Sequence, residues 1–175
     1  MTREFFPPLR SRGFTLIELM TAVVVLAIIL VLAVPSLGGF IRSSKVRSAQ
    51  SELVASLMLA RSEATRRGAA VSVAASAPAA GSEFSAGWTV WVDANADGVV
   101  DPTETVIRRY ADISSAVVIG SSAGNAPVTF APTGFLSPAA AVTFKVCGRS
   151  DATKGFSVAL QPMGLADIDD QATCP

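Results

Sequence analysis

Residues Arg12-Gly13-Phe14-Thr15-Leu16-Ile17-Glu18-Leu19-Met20 open an apolar run that continues to Val34. At about 1.5 Å of rise per residue, a helix from Phe14 to Val34 would reach about 31 Å, which is enough to cross the hydrocarbon core of a membrane. Glu18 is the single carboxylate in this run. An ionisable group at that depth costs roughly 2.5–3.5 kcal/mol, so it indicates a role beyond anchoring. The sequence therefore predicts a transmembrane helix over residues 14–35 that carries one functional acid.

The six residues Gly13-Phe14-Thr15-Leu16-Ile17-Glu18, which follow a basic leader, resemble the processing site of type IV pilins and type II secretion pseudopilins. In that family a membrane peptidase cuts after the glycine and methylates the new N-terminal phenylalanine. The resemblance implies a prepilin leader over residues 1–13, cleavage between Gly13 and Phe14, and N-methylation of Phe14. It also implies that Glu18 helps to dock the subunit into a helical filament and that Pro35 kinks the helix.

The chemistry of these residues agrees with that resemblance. Cleavage would create an ammonium group at Phe14, and a helix starting there would place Glu18 one turn away on the same face. The carboxylate could then neutralise the charge in its own chain or in a neighbouring one. Its position near the positive end of the helix dipole is also favourable.

Basic residues before the apolar run place the N-terminus in the cytoplasm, by the positive-inside rule. Everything after Pro35 would then lie outside the cytoplasm, and the resemblance makes the membrane the bacterial inner membrane and that space the periplasm. The chain has two cysteines, Cys147 and Cys174. In an oxidising compartment we expect them to form a disulfide.

The residue inventory does not favour an enzyme. The chain contains no histidine, which excludes Ser-His-Asp and Cys-His catalysis and imidazole zinc sites. Both cysteines are used if they are bridged. We therefore expect a non-enzymatic protein without a cofactor.

A second helical pattern follows the membrane run over residues 36–68. One apolar stripe recurs at steps of three and four, as Val46, Ala49, Leu53, Leu57, Ala60 and Ala64. Gly68 is a typical C-terminal stop, and Arg66 and Arg67 in the last turn complement the helix dipole. The pattern predicts one helix from Phe14 to about Arg67, with an amphipathic second half and a kink or local melting near Pro35.

Residues 69–175 change to short β-type segments separated by Gly, Pro, Ser and Asn. We predict strands at Val71 to Ala75, Gly87 to Asp93, Thr105 to Tyr110, Val117 to Ile119, Val128 to Ala131, Val142 to Cys147 and Phe156 to Leu160. Residues 77–85, 120–125 and 137–139 are predicted loops. A long helix followed by a series of strands indicates an α+β fold with antiparallel sheet packed on the helix.

This order of elements is similar to the GspH/FimT group of minor pseudopilins, from the N-terminal motif to the two-cysteine C-terminal β region. The resemblance implies an N-terminal helix packed on two small β-sheets. It also implies a minor subunit of a type II secretion pseudopilus or type IV pilus, which acts near the filament tip.

The stretch from Asp93 to Glu104 fits the calcium-loop pattern D-x-N-x-D-G-x5-E. Its candidate oxygen ligands are Asp93, Asn95, Asp97, Asp101 and Glu104. Both flanks are predicted strands rather than the helices of an EF-hand, and the same residues suit a plain β-hairpin turn. We favour the turn and keep calcium as the alternative.

Some FimT-type proteins bind DNA through a basic Gly-Arg motif near the C-terminus. The corresponding place here is Met163-Gly164-Leu165-Ala166-Asp167, which lacks the arginine and leads into acidic residues. From Ala69 onward the chain carries five basic and ten acidic side chains, a net charge of −5, which repels a phosphate backbone. Nucleic acid is therefore not the expected partner.

These observations together indicate a structural filament subunit. Its expected partners are other pilin or pseudopilin subunits, the prepilin peptidase, the inner-membrane assembly platform and the lipid bilayer. Two alternatives remain: a DNA-binding minor pilin for natural transformation, and a generic membrane-anchored β-domain.

Overall fold

A computed structural model of the protein describes residues 13–111, 113–149 and 151–174; the side chains of residues 31–37, 151–154 and 171 lie outside that description. The chain divides into two compact units, Met1–Phe40 and Ile41–Pro175. The second unit contains the last part of the long helix and every strand described below.

Helix α1 spans Leu16–Arg67. It ends at the predicted residue because Gly68 adopts a positive φ of 64° and donates its N–H to the Ala64 carbonyl at 3.0 Å. In the last turn, hydrogen bonds from two arginines lower the pKa of the Glu63 carboxyl; the bond from Arg66 has the larger effect and the bond from Arg67 the smaller one. These exposed ion pairs stabilise the helix end together with the dipole.

The predicted apolar stripe of α1 is confirmed as its buried face. The six stripe residues are all buried, and they are Val46, Ala49, Leu53, Leu57, Ala60 and Ala64. One polar residue shares that face: Ser56 is fully buried and accepts a hydrogen bond of 2.8 Å from the indole N–H of Trp88. The bond satisfies a buried donor that would otherwise cost free energy.

A five-stranded antiparallel sheet covers one part of this stripe, with strand order β3-β2-β1-β5-β6. Its strands are β1 (Val71–Ala75), β2 (Gly87–Val92), β3 (Val106–Ala111), β5 (Val128–Phe130) and β6 (Leu136–Ser137). Alternate residues of β1 and β2, such as Val73 and Val90, face the helix.

A four-stranded antiparallel sheet has the order β4-β7-β8-β9. Its strands are β4 (Val117–Ser121), β7 (Val142–Gly148), β8 (Asp151–Leu160) and β9 (Ala166–Ala172). Phe84, from the connection between β1 and β2, packs edge-on against Phe144 of β7 at 5.1 Å and lies 6.2 Å from Trp88. One hydrophobic core therefore joins α1 to both sheets, as the α+β prediction required.

The structure adds two strands that the sequence did not predict, β6 and β9. Ser137 lies in β6 rather than in the predicted loop, and β6 is only two residues long. Strand β9 has the sequence ADIDDQA, whose acidic residues have low strand propensity. It forms because it lies at a sheet edge, where its charged side chains stay in solvent while its backbone pairs with β8.

A buried carboxylate links the two sheets. Glu83, in the connection between β1 and β2, is 5 % exposed and accepts hydrogen bonds from the backbone N–H of Gly81 at 2.8 Å and of Ser121 in β4 at 3.0 Å. Phe84 and Ser85 continue the link through two further bonds to Ile119. Burial acts to raise the pKa of Glu83, but backbone N–H donors, including its own, outweigh it and lower that pKa. The connection therefore occupies the open edge of β4.

Candidate functional site

The start of α1 is defined by a side-chain cap. The hydroxyl of Thr15 accepts a hydrogen bond from the backbone N–H of Glu18 at 3.3 Å, and the Thr15 carbonyl accepts one from Leu19 at 3.2 Å. Thr15 is thus the N-cap, and Thr-x-x-Glu is the pattern of a capping box. The sequence reasoning did not single out Thr15, although this four-residue pattern would have found it.

The cap changes the expected relation between Phe14 and Glu18. The helix begins at Leu16, two residues later than predicted, so Phe14 precedes the cap and does not share a helical face with Glu18 in this structure. Glu18 occupies the third helical position, in the first turn, where the helix dipole favours an acid. Phe14 and Glu18 are both exposed.

The first unit presents an exposed apolar surface on every side of the helix. Among the described side chains of this unit, the large exposed apolar ones are Phe14, Leu16, Ile17, Leu19, Met20, Val23, Val24, Val25, Leu26, Ile28, Ile29, Leu30 and Phe40. Among the residues whose side chains are described, no helical segment has the length and apolar character needed to cross a membrane. The predicted span over residues 14–35 includes residues 31–35, whose side chains lie outside the described ones, and the predicted kink at Pro35 falls there too.

Cys147 and Cys174 form the predicted disulfide, which joins β7 to the chain after β9. Gly155 of β8 lies directly beneath the two sulfur atoms, and a β-carbon at this position would collide with both. Glycine is therefore required where the bridge crosses β8. The bridge fixes the C-terminal end of the chain to the four-stranded sheet.

The two tryptophans of β2 stand three residues apart, so the two-residue period of a strand places them on opposite faces. Trp88 faces α1 and stacks on Tyr110 of β3 at 5.1 Å. Trp91 faces away from the helix yet is fully buried, and its indole N–H has no partner among the described residues.

The acidic stretch 93–104 is the loop of a β-hairpin, because β2 and β3 pair directly on either side of it. Asp93 is 1 % exposed, and its Oδ2 accepts hydrogen bonds from the Ser72 hydroxyl at 2.7 Å and from the Gly98 N–H at 3.1 Å. Its Oδ1 has no partner among the described residues.

The remaining candidate calcium ligands hydrogen-bond within the loop. The Asn95 amide donates to Asp97 at 2.8 Å and to Asp101 at 3.3 Å. The two oxygens of Glu104 accept the N–H groups of Ala94 at 2.9 Å and of Asp101 at 3.2 Å. Over the described residues, no three acidic, cysteine or histidine side chains are placed to hold a metal ion. This arrangement is a hydrogen-bonded turn, which is the interpretation that the sequence favoured. Calcium bound by Asp93, Asn95, Asp97, Asp101 and Glu104 stays the untested alternative.

Comparisons with known proteins agree with this architecture. The family model for Type II transport protein GspH matches residues 49–164, about two thirds of the chain, and that for the prokaryotic N-terminal methylation motif matches residues 8–34. A search of curated proteins found no match.

Two solved structures share the fold. The type IV minor pilin FimU of Pseudomonas aeruginosa is 23% identical, with a TM-score of 0.65 over 78% of this chain and 96% of that chain. The minor pseudopilin EpsH from the Type 2 Secretion System of Vibrio cholerae is 12% identical, with a TM-score of 0.53 over 72% of this chain and 97% of that chain. With the helix, the two sheets and the capped, motif-bearing N-terminus in place, the chain belongs to the GspH family of pilin-like minor pseudopilins.

Proposed function

We propose that the protein is a non-enzymatic minor pilin or pseudopilin that is inserted into a type II secretion pseudopilus or type IV pilus at or near its tip. The observation that carries this proposal is the capped, exposed and apolar start of α1, with Glu18 in its first turn. The match to the methylation motif over residues 8–34 supports processing after Gly13.

The exposed apolar side chains explain why such a helix needs two successive environments. Burying one large apolar side chain lowers the free energy by about 1.5–3 kcal/mol. Burying the exposed apolar side chains between Phe14 and Leu30 would therefore lower it by tens of kcal/mol. Lipid can bury it before assembly, and neighbouring helices can bury it in the filament. Transfer between two apolar surroundings is close to neutral, which makes extraction from the membrane possible.

Glu18 would form a polar contact with a neighbouring subunit once the helix has moved from the membrane into the filament. Prepilin peptidase would cut after Gly13 and leave a methylated ammonium on Phe14, one residue before the cap. In the filament the Glu18 carboxylate would pair with such an ammonium from an adjacent subunit. An unpaired charge in the helical core would cost about 3–5 kcal/mol, so this contact selects correctly placed subunits.

The cap allows the charge of Glu18 to be tested separately from its local role. Glutamine is as good as glutamate in a capping box, so Glu18→Gln keeps the helix start and removes the charge. In the full chain, produced in its own cells, we expect Glu18→Gln to insert into the membrane normally. Its amount in the sheared filament fraction should fall at least about tenfold, as expected for more than 1.4 kcal/mol.

Thr15→Ala is the matched control, since it removes the cap and keeps the charge. We expect it to lose about 1 kcal/mol of helix stability and to remain in the filament fraction. Mass spectrometry of the N-terminus should find methylated Phe14. An intact Met1, or Glu18→Gln at the unsubstituted level in filaments, would contradict the proposal.

A further inference from the structure

The second unit begins with a basic segment of α1. Residues 42–47 are Arg-Ser-Ser-Lys-Val-Arg, with three basic side chains and no acid. All three basic side chains are exposed, whereas Val46 among them belongs to the buried stripe. Residues 69–175, by contrast, carry a net charge of −5. The positive charge at this end of the unit therefore stands apart from an acidic strand region.

Two arginines of this segment line an open pocket of about 270 Å³, which we name the basal pocket. Arg42 and Arg47 lie on its α1 wall, and Gly148, Phe156 and Asp170 of the four-stranded sheet lie on the other wall. The Arg47 guanidinium is 5.6 Å from the centroid of the Phe156 ring, a cation–π contact that orients it. The pocket thus presents two guanidinium groups on one wall and a carboxylate on the other.

These charged groups are not paired with one another. The ion pairs among the described residues join Glu63 to Arg66 and Arg67, and none of them involves the charged side chains of the basal pocket. A guanidinium offers donors in a planar fork that matches the oxygens of a phosphate, and a carboxylate accepts hydrogen bonds from an ammonium group. The charges of the pocket are therefore complementary to a ligand that carries both a phosphate and an ammonium.

The place of the pocket along the chain brings it close to lipid headgroups. Arg42 follows Val34, the last residue of the apolar run, by eight residues, which rise about 12 Å as a helix. The headgroup layer of a bilayer extends about 5–8 Å beyond the hydrocarbon core on each side. Helical side chains tilt toward the helix N-terminus, and a long arginine extends its charged group to the interface. Arg42 can therefore reach the phosphates of an anchoring membrane.

We propose that the basal pocket binds the headgroup of a phospholipid that carries a primary amine, with the phosphate on Arg42 and Arg47 and the ammonium on Asp170. The inference rests on the proposed function, because a membrane-anchored subunit brings this pocket to lipid headgroups. The contact belongs to the stage before assembly, when lipid surrounds the start of α1. It holds the second unit at the membrane surface and is released when the helix moves into the filament.

A lipid titration tests the ligand class. The full chain is placed in micelles of a detergent without phosphate or amine, and bound lipid is measured by native mass spectrometry. Dioleoyl phosphatidylethanolamine should bind at least about fivefold more tightly than dioleoyl phosphatidylglycerol, which lacks the ammonium. Glycerophosphoethanolamine has the same headgroup without acyl chains and should bind far more weakly, because the micelle concentrates only the lipid. Equal binding of the two lipids, or of the lipid and its soluble headgroup, would overturn the inference.

The arginines are tested against a control with the same change in charge. Each arginine near a lipid surface should contribute about fivefold, so Arg42→Ala with Arg47→Ala should weaken phosphatidylethanolamine binding about 25-fold. The control is Arg108→Ala with Arg109→Ala on β3, since Arg108 also lies over an aromatic ring, that of Tyr110 at 4.8 Å. This control should stay within about twofold of the unsubstituted chain. Equal losses in the two double variants would show attraction by net charge alone and refute the pocket.

Asp170→Asn tests the ammonium contact. It should weaken binding of phosphatidylethanolamine about fivefold and leave that of phosphatidylglycerol unchanged. The same change for both lipids, or for neither, would refute the assignment of Asp170. All these variants alter exposed side chains, so the fold should be kept, which tryptophan fluorescence checks.

The proposed function is followed separately in cells, through processing at Phe14 and incorporation into filaments. If both occur while lipid binding does not depend on Arg42 and Arg47, only this inference fails. An intact Met1 would overturn the proposed function, whatever the result of the lipid titration.

Discussion

Replacing Glu83 tests the link between the two sheets. Glu83→Ala leaves two backbone donors, those of Gly81 and Ser121, without their carboxylate partner. A hydrogen bond to a charged acceptor contributes about 1.5–3 kcal/mol, but Gly81 is exposed and water can replace its partner. We therefore expect a loss of about 2–4 kcal/mol in the free energy of unfolding, which lowers Tm by about 8–15 °C for a unit of this size. Glu83→Gln keeps one acceptor oxygen and should lose about half as much.

The pH dependence of this link has a definite sign. The folded-state pKa of Glu83 lies below its ordinary value of 4.5, so the ionised carboxylate stabilises the fold above that pH. The stabilisation is lost as pH falls below 4.5 through the folded-state pKa. Unsubstituted protein should therefore lose more stability than Glu83→Gln on acidification from pH 5 to pH 3.

Tryptophan fluorescence of the full chain in detergent is the assay, because both tryptophans are buried in the second unit and report its unfolding. The matched control is Glu52→Ala, because Glu52 is an exposed acid on α1. This substitution should change the free energy of unfolding by no more than about 0.5 kcal/mol, and Tm by less than about 2 °C. A Glu83→Ala protein with the Tm of this control would refute the reasoning. So would a Glu83→Gln protein whose acid sensitivity matches that of the unsubstituted chain.

Three other expectations concern the same unit. Replacing Cys147 and Cys174 by serine opens a loop with a sequence separation of 27 and should cost about 3.5 kcal/mol, measured as the difference in thermal unfolding with and without the bridge; an unchanged Tm would contradict it. Ser56→Ala leaves the buried Trp88 indole N–H unpaired and should cost about 1–3 kcal/mol by the same assay, and a neutral result would show that another acceptor takes over. Millimolar calcium should leave Tm unchanged, because the acidic side chains of residues 93–104 bond within the loop; a rise of several degrees would show that they rearrange to bind the ion.

Patterns within a few residues of one another were sufficient for much of this protein. The leader motif was identified by the resemblance of residues 13–18 to the pilin processing site. The buried stripe from Val46 to Ala64 follows from the helical period, and the stop at Gly68 follows from the conformational freedom of glycine. Strand β1 agrees with its predicted bounds, and the opposite orientation of Trp88 and Trp91 follows from the two-residue period of a strand. The disulfide was predicted from the oxidising compartment expected for this part of the chain and from the presence of two cysteines in the sequence. For the stripe, the helix end and the strand, the information lies in the local geometry of neighbouring residues.

Other features depend on residues that are distant in sequence, and only the tertiary structure decides them. Acidic β9 is a strand because β8 offers it a partner, and Glu83 is buried because β4 presents an open edge to it. The turns at Gly134 and Gly164 meet because Arg61 and the two sheets bring them together. Local propensity does not predict such partners, because each contact contributes free energy only after the entropic cost of closing the intervening loop has been met.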